Sequence, residues 1–165
     1  MIITATGLDL QLAGGASVDV DGEPLDTHDR VIYKGVLIDG VPNALFVLGY
    51  TNASWTLKAD LASEYFCRLI GYMERHGYTQ MVAEAGPEDR SEDSALGSAL
   101  KSGYIRRAEG IMPRQGTRKP WKVLDNYYRD SIALRFGSVK DKALKFSTTP
   151  TTVETARDPI AERAG

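Results

Sequence analysis

Met1-Ile2-Ile3-Thr4-Ala5-Thr6-Gly7 opens the chain. Apolar and β-branched residues run without alternation into Ala-Thr-Gly, the pattern of a strand buried on both faces that turns at a glycine. Such a strand sits inside a parallel sheet and needs neighbours on both edges. A chain that begins in the middle of one is expected to be the C-terminal piece of a larger α/β protein. Gly7 permits either close backbone approach to a ligand or a simple turn, and the residues alone leave both open.

Local turn chemistry organises the segments after this strand. Val18 to Leu25 predicts a hairpin with Asp21-Gly22 at its turn. Val31-Ile32-Tyr33 and Val36-Leu37-Ile38 read as short strands, followed by the turn residues Asp39-Gly40-Val41-Pro42-Asn43. Leu45 to Leu48 is a continuous apolar run, read as a second inner strand ended by Gly49. A long helix is predicted from about Ser54 to His76. Leu57, Leu61, Tyr65, Leu69 and Met73 form one stripe, with Ala62, Phe66 and Ile70 beside it. Glu64 and Arg68 have the spacing of an i,i+4 ion pair, Cys67 reads as a core residue, and Gly77 as the C-terminal cap. Thr79 to Ala83 predicts a strand, and Ala95 to Leu100 and Leu124 to Phe136 short helices. From Ser147 onward no apolar face remains, which predicts a disordered tail.

Composition bounds the function. The 165 residues are 42% apolar and 25% charged with a formal net charge of −2, an ordinary globular balance with no bias toward nucleic acid or membrane. The longest apolar run, Ala44 to Leu48, is too short to span a bilayer. The opening residues lack the basic and apolar regions of a signal peptide, and the single cysteine excludes an intrachain disulfide. The expected location is the cytoplasm.

Two segments carry candidate chemistry. In Gly49-Tyr50-Thr51-Asn52-Ala53-Ser54-Trp55 an apolar run passes through glycine and small polar residues into a helix start. Free N–H groups and the helix dipole make such a corner an anion site, although Thr51, Asn52 and Ser54 also suit N-caps. The stretch from Lys101 to Lys122 holds Lys101, Arg106, Arg107, Arg114, Arg118, Lys119 and Lys122 with Tyr104 and Trp121 between them. It reads as a solvated loop or as a surface for a phosphate-bearing partner. The acidic run from Asp19 to Asp29 lacks calcium-loop spacing and reads as a solvated hairpin. His28 and His76 have no partner in sequence, so no metal site is assigned. The chain contains no G-x-G-x-x-G, P-loop, G-x-S-x-G or CxxC motif.

Several of these segments resemble one family when read together. They are Ile2 to Leu10, Tyr33-Lys34-Gly35, Asp39 to Phe46, Gly49 to Leu61, Pro113-Arg114-Gln115-Gly116-Thr117-Arg118-Lys119-Pro120-Trp121 and Asn126-Tyr127. The chain is similar over roughly residues 1 to 146 to the C-terminal part of the flavin-containing monooxygenases. The nearest branch is the Baeyer–Villiger type, in the ethionamide-activating group. The resemblance implies an α/β fold with two dinucleotide-binding domains, one for FAD and one for NADPH. Residues 1–78 would complete the FAD domain, 79–146 would be an extension packed on the flavoprotein core, and 147–165 the tail.

Thr6 and Gly7 would then lie where the chain returns to the FAD domain, and Tyr50, Thr51, Asn52 and Ala53 under the flavin's pyrimidine edge. The implied reaction inserts one oxygen atom from O2 into ketones or sulfur compounds through a flavin peroxide, with NADPH as reductant. No catalytic residue is assigned. Both glycine-rich phosphate fingerprints, the Baeyer–Villiger signature and the arginine used beside the peroxide are absent from this sequence. The chain is therefore expected to be inactive alone, to bind FAD weakly or not at all, and to need a missing N-terminal half. The alternative is a stand-alone, non-catalytic binding module that uses residues 101–122.

Overall fold

The computed structural model describes Ile3, residues 11–95, Ala108 and residues 110–148. The opening strand with Thr6 and Gly7 lies outside these residues. So do the expected helix after Ala95, the basic residues Lys101, Arg106 and Arg107, and the tail beyond Thr148.

Hairpins form where the turn residues dictate. β1 (Asp19–Val20) pairs antiparallel with β2 (Glu23–Pro24), and Asp21 and Gly22 both take positive φ, 54° and 83°. That is the mirror-image turn whose twist matches the strands. β3 (Ile32–Tyr33) pairs with β4 (Leu37–Ile38) across Lys34 (φ 50°) and Gly35 (φ 69°). Leu45 to Leu48 departs from expectation. Among the described residues it joins no ladder, and its tie to a neighbouring segment is the Phe46 N–H donating to Val36 O at 2.8 Å. Its apolar side chains pack on the core without strand pairing.

The long helix α1 runs Trp55–His76. It buries Leu61, Ala62, Tyr65, Leu69 and Met73, together with Lys58 and Tyr72, while Leu57 and Ile70 are exposed. The buried stripe is therefore turned toward Lys58, because that lysine has an internal anion to meet. Cys67 is exposed rather than part of the core. Glu64 and Arg68 do not pair with each other. Arg135 grips the Glu64 carboxylate from two nitrogens, at 2.6 and 2.9 Å. Arg68 instead donates to the carbonyls of Leu134 and Gly137, which the last turn of the next helix leaves unpaired.

β5 (Gln80–Ala83) follows α1, and then a short 3-10 turn at Pro87–Asp89. α2 (Tyr127–Ser131) begins three residues later than expected, because the Asn126 side chain caps it by accepting from Arg129 N at 3.0 Å. It continues as one wider π turn over Ile132–Phe136. β6 (Leu144–Ser147) then pairs antiparallel with β5 over four residue pairs. This strand was not expected, and Ser147, read as the start of the tail, accepts from Thr79 N at 3.0 Å.

Helix and strand are mixed, as expected, and every ladder among the described residues is antiparallel and two-stranded. One apolar cluster gathers Tyr33, Val36, Leu61, Tyr65, Leu69, Met81, Trp121, Leu134 and Leu144, drawing on both sides of the 78/79 division. Tyr33 and Trp121 meet edge to face at 5.4 Å. Gly116 lets the 113–121 loop close over this pair, since a Cβ there would lie 2.4 Å from Asp89 O and 2.5 Å from Trp121 Cβ.

Candidate functional site

The segment Gly49–Trp55 forms a corner with two unlike sides. At its start Gly49 accommodates the folded-back Trp55 ring, which would lie 2.2 Å from a Cβ at that position. Tyr50 points inward and is 3% exposed. Its hydroxyl donates to Asp130 Oδ2 at 2.9 Å, and Lys58 Nζ donates to the same oxygen at 2.7 Å. Both charged side chains are almost fully buried, so each depends on the other for compensation. Burial, and then the hydrogen bond to Asp130, push the Tyr50 phenol above its ordinary range and keep it protonated. Lys58 Nζ also lies 5.5 Å from the centre of the Tyr50 ring.

The next two residues are held from α2's leading edge. Thr51 N–H donates to Asp125 Oδ1 at 3.0 Å and the Thr51 hydroxyl donates to Asp125 Oδ2. The Asn52 side-chain amide donates to Asp125 O at 3.1 Å. Neither residue caps α1. Asn52, Ala53, Ser54, Trp55 and Thr56 are exposed. Ser54 occupies the N-cap position without a side-chain cap bond, its hydroxyl pairing with Thr56 Oγ1 at 2.7 Å, and the first turn holds no acidic residue. A helix of 22 residues thus presents its positive end outward with no side chain neutralising it.

Of the residues singled out from sequence, Tyr50, Thr51, Asn52 and Ala53 come together here, while Thr6 and Gly7 lie outside the described residues. Sequence reading missed Lys58, Asp125 and Asp130. For Lys58 a signal exists: it falls three and seven residues before Leu61 and Tyr65, on the stripe that must be buried, where a lysine demands an anion. No local pattern marks the two aspartates.

A cleft of about 800 Å³ that Asp130 also lines is bordered by Lys34, Arg118, Trp121, Lys122 and Asp141 among others. Lys34 sits between the rings of Tyr33 and Tyr65, and burial lowers its pKa against the opposing pull of Asp141 at 3.9 Å. The described part of the basic stretch is not an open stacking surface. Trp121 is buried, Arg114 pairs with Glu92 at 2.7 Å, and Arg118 with Asp89 at 3.1 Å. His28 meets Arg114 at 3.2 Å and His76 meets Tyr72 O at 2.8 Å. Among the described residues no three His, Cys, Asp or Glu side chains gather as a metal site, and no helix is long and apolar enough to cross a membrane.

No family model and no solved structure matches the chain. Curated relatives do. It is 44% identical over 159 residues to "Probable FAD-binding monooxygenase AlmA" of Acinetobacter baylyi, covering 96% of this chain and 32% of that protein. It is 44% identical over 153 residues to FAD-containing monooxygenase EthA of Mycobacterium tuberculosis, with 93% and 31% covered. Against EthA of Mycolicibacterium smegmatis the identity is 43% over 147 residues, with 89% and 30% covered. The chain spans about a third of the length of these relatives and matches their C-terminal portion. The resemblance to FAD-containing monooxygenases read from the sequence is borne out.

Proposed function

We propose that this chain, homologous to one portion of the FAD-containing monooxygenases, serves as the C-terminal part of an FAD- and NADPH-dependent monooxygenase. Its Tyr50–Ala53 corner meets the flavin. The observation that supports this is the corner's two-sided build: Tyr50 and Thr51 anchored inward, Asn52 to Thr56 exposed at an uncapped, acid-free helix start. An electron-accepting ring that gains negative charge on reduction suits such an end, where N–H donors and the helix dipole stabilise an anion. The residues present therefore fit one edge of a flavin. The sequence holds no glycine-rich cradle for its phosphates.

When bound, the flavin supplies O2 activation, with NADPH as reductant and a ketone or sulfur compound as the acceptor of one oxygen atom. The chain's own part is to bind and orient. Asn52 and Ala53 face the ring edge, Tyr50 and Thr51 fix that face from behind, and Thr6 and Gly7 lie on the link between domains. Residues 79–146 brace the corner through Asp125 and Asp130. The phosphates fall to an N-terminal portion of the kind its relatives carry, and the enzyme works on a small molecule in the cytoplasm. A stand-alone module built on residues 101–122 is the weaker reading, because Trp121 is buried and Arg114 and Arg118 are already paired.

The test is a chimera in which this chain replaces the matching part of AlmA. The expected product is a yellow protein that retains FAD and consumes NADPH and O2 when given a ketone or a sulfide. A folded chimera that carries no flavin overturns the reading.

A further inference from the structure

We propose that Asp125 is the positioning residue of the corner, and that Thr51 is a strut bound to it rather than a flavin contact. The inference deepens the proposed flavin role and rests on it. Thr51 has one backbone N–H and one hydroxyl to give, and both go to the Asp125 carboxylate, 74 positions away. The next residue, Asn52, sends its side-chain amide to the Asp125 carbonyl. One residue therefore takes three donors from two consecutive positions, which fixes both the location and the rotation of the backbone. Bonds to a carboxylate are the stronger kind of hydrogen bond, and here they come from the amide and the hydroxyl of one residue.

The segment needs this hold. Gly49 to Ser54 belongs to no helix or ladder, so nothing local fixes its dihedrals. Asp125 lies beside Asn126, the residue that caps α2, and five residues before Asp130, which anchors Tyr50. Leu134 carries that helical segment into the core. The corner is thus bolted to a rigid element at two carboxylates. Thr51's donors being used, the backbone N–H groups of Asn52 and Ala53 are left to face a ligand beside those that open α1, and among the described residues neither has a partner within the chain.

The first measurement is amide hydrogen exchange on the 165-residue chain carrying Asp125→Asn or Asp125→Glu. With Asn, exchange at the Thr51 amide is expected to quicken by about tenfold while residues 61–73 stay protected. Glu is expected to restore part of the protection. Unchanged exchange at the Thr51 amide overturns the proposal whatever becomes of the flavin reading. The second measurement places Asp125→Asn in the AlmA chimera and monitors FAD affinity and the flavin reduction potential. Weaker retention and a lower potential are expected, because a loosened corner stabilises the reduced, negative ring less. A quickened exchange with both flavin readouts unmoved overturns the positioning role. The flavin reading itself is judged separately, by whether the unsubstituted chimera holds FAD.

Discussion

At its C-terminal end α1 is closed by residues adjacent in sequence. Gly77 turns left-handed at φ 69°, its N–H reaching Glu74 O at 3.3 Å, and Tyr78 N–H returns to Met73 O at 3.0 Å. Arg75 and His76 place basic groups at the negative end, and Tyr72, His76, Tyr78 and Phe146 stack beside it. At the N-terminal end Ser54 leaves its cap unmade, no acid balances the dipole, and the chain ahead of it is held by Asp125 and Asp130 from more than 70 residues away. A stop that serves only the fold is written locally. An end kept open needs support that does not block it, and here that support is long-range.

The largest way to break this contrast is at the buried ion pair. Asp130→Ala strands the Lys58 charge and the Tyr50 hydroxyl, and is expected to cost about 3–5 kcal/mol in urea denaturation. Replacing both partners, Lys58→Met with Asp130→Leu, leaves no orphaned charge and is expected to recover a large share of that loss. At the opposite end Gly77→Ala meets no atom within 4 Å. Its cost is backbone strain alone, about 1–2 kcal/mol, read as a lower Tm.

Ser54→Asp sharpens the comparison in the other direction. A carboxylate at the open end is expected to stabilise the fold by about 0.3–1 kcal/mol. In the chimera it should also weaken FAD retention, so stability and binding move apart.

The smallest expected effect lies between the ends, at Glu64. Hydrogen bonding from Arg135 holds its carboxyl below the ordinary 4.5. A carboxylate so depressed adds stability above its ordinary value and loses it as pH falls through its folded value. Glu64→Gln should therefore lower Tm slightly at neutral pH. The difference should vanish in acid and shrink with added salt.

Legibility from sequence falls along the same division. The Asp21-Gly22 turn, the length of α1, the Gly77 cap and the strand at Gln80–Ala83 all depend on residues a few positions apart. The errors come from partners far away in the chain. Leu45 to Leu48 has a strand's composition, but its backbone meets its neighbour through the Phe46 N–H to Val36 O bond without extending into a ladder among the described residues. Glu64 and Arg68 have helix-pair spacing, but Arg135 and the open carbonyls of the π turn compete more strongly for them. Cys67 has apolar neighbours in sequence, but Lys58 turns the helix so that the thiol faces out. Tyr50 to Ala53 stand out in the sequence as a strand-to-helix corner, whereas the aspartates behind it do not, since Asp125 ahead of a short helix and Asp130 within it both read as ordinary surface residues.

The exposed thiol of Cys67 has a practical consequence. It is the single cysteine of the chain, placed near the middle of its longest rigid rod. A fluorophore or spin label can be attached there without first removing competing sulfhydryls. From that vantage the distances to reporters engineered at either tip would reveal whether the two extremities loosen together or one at a time.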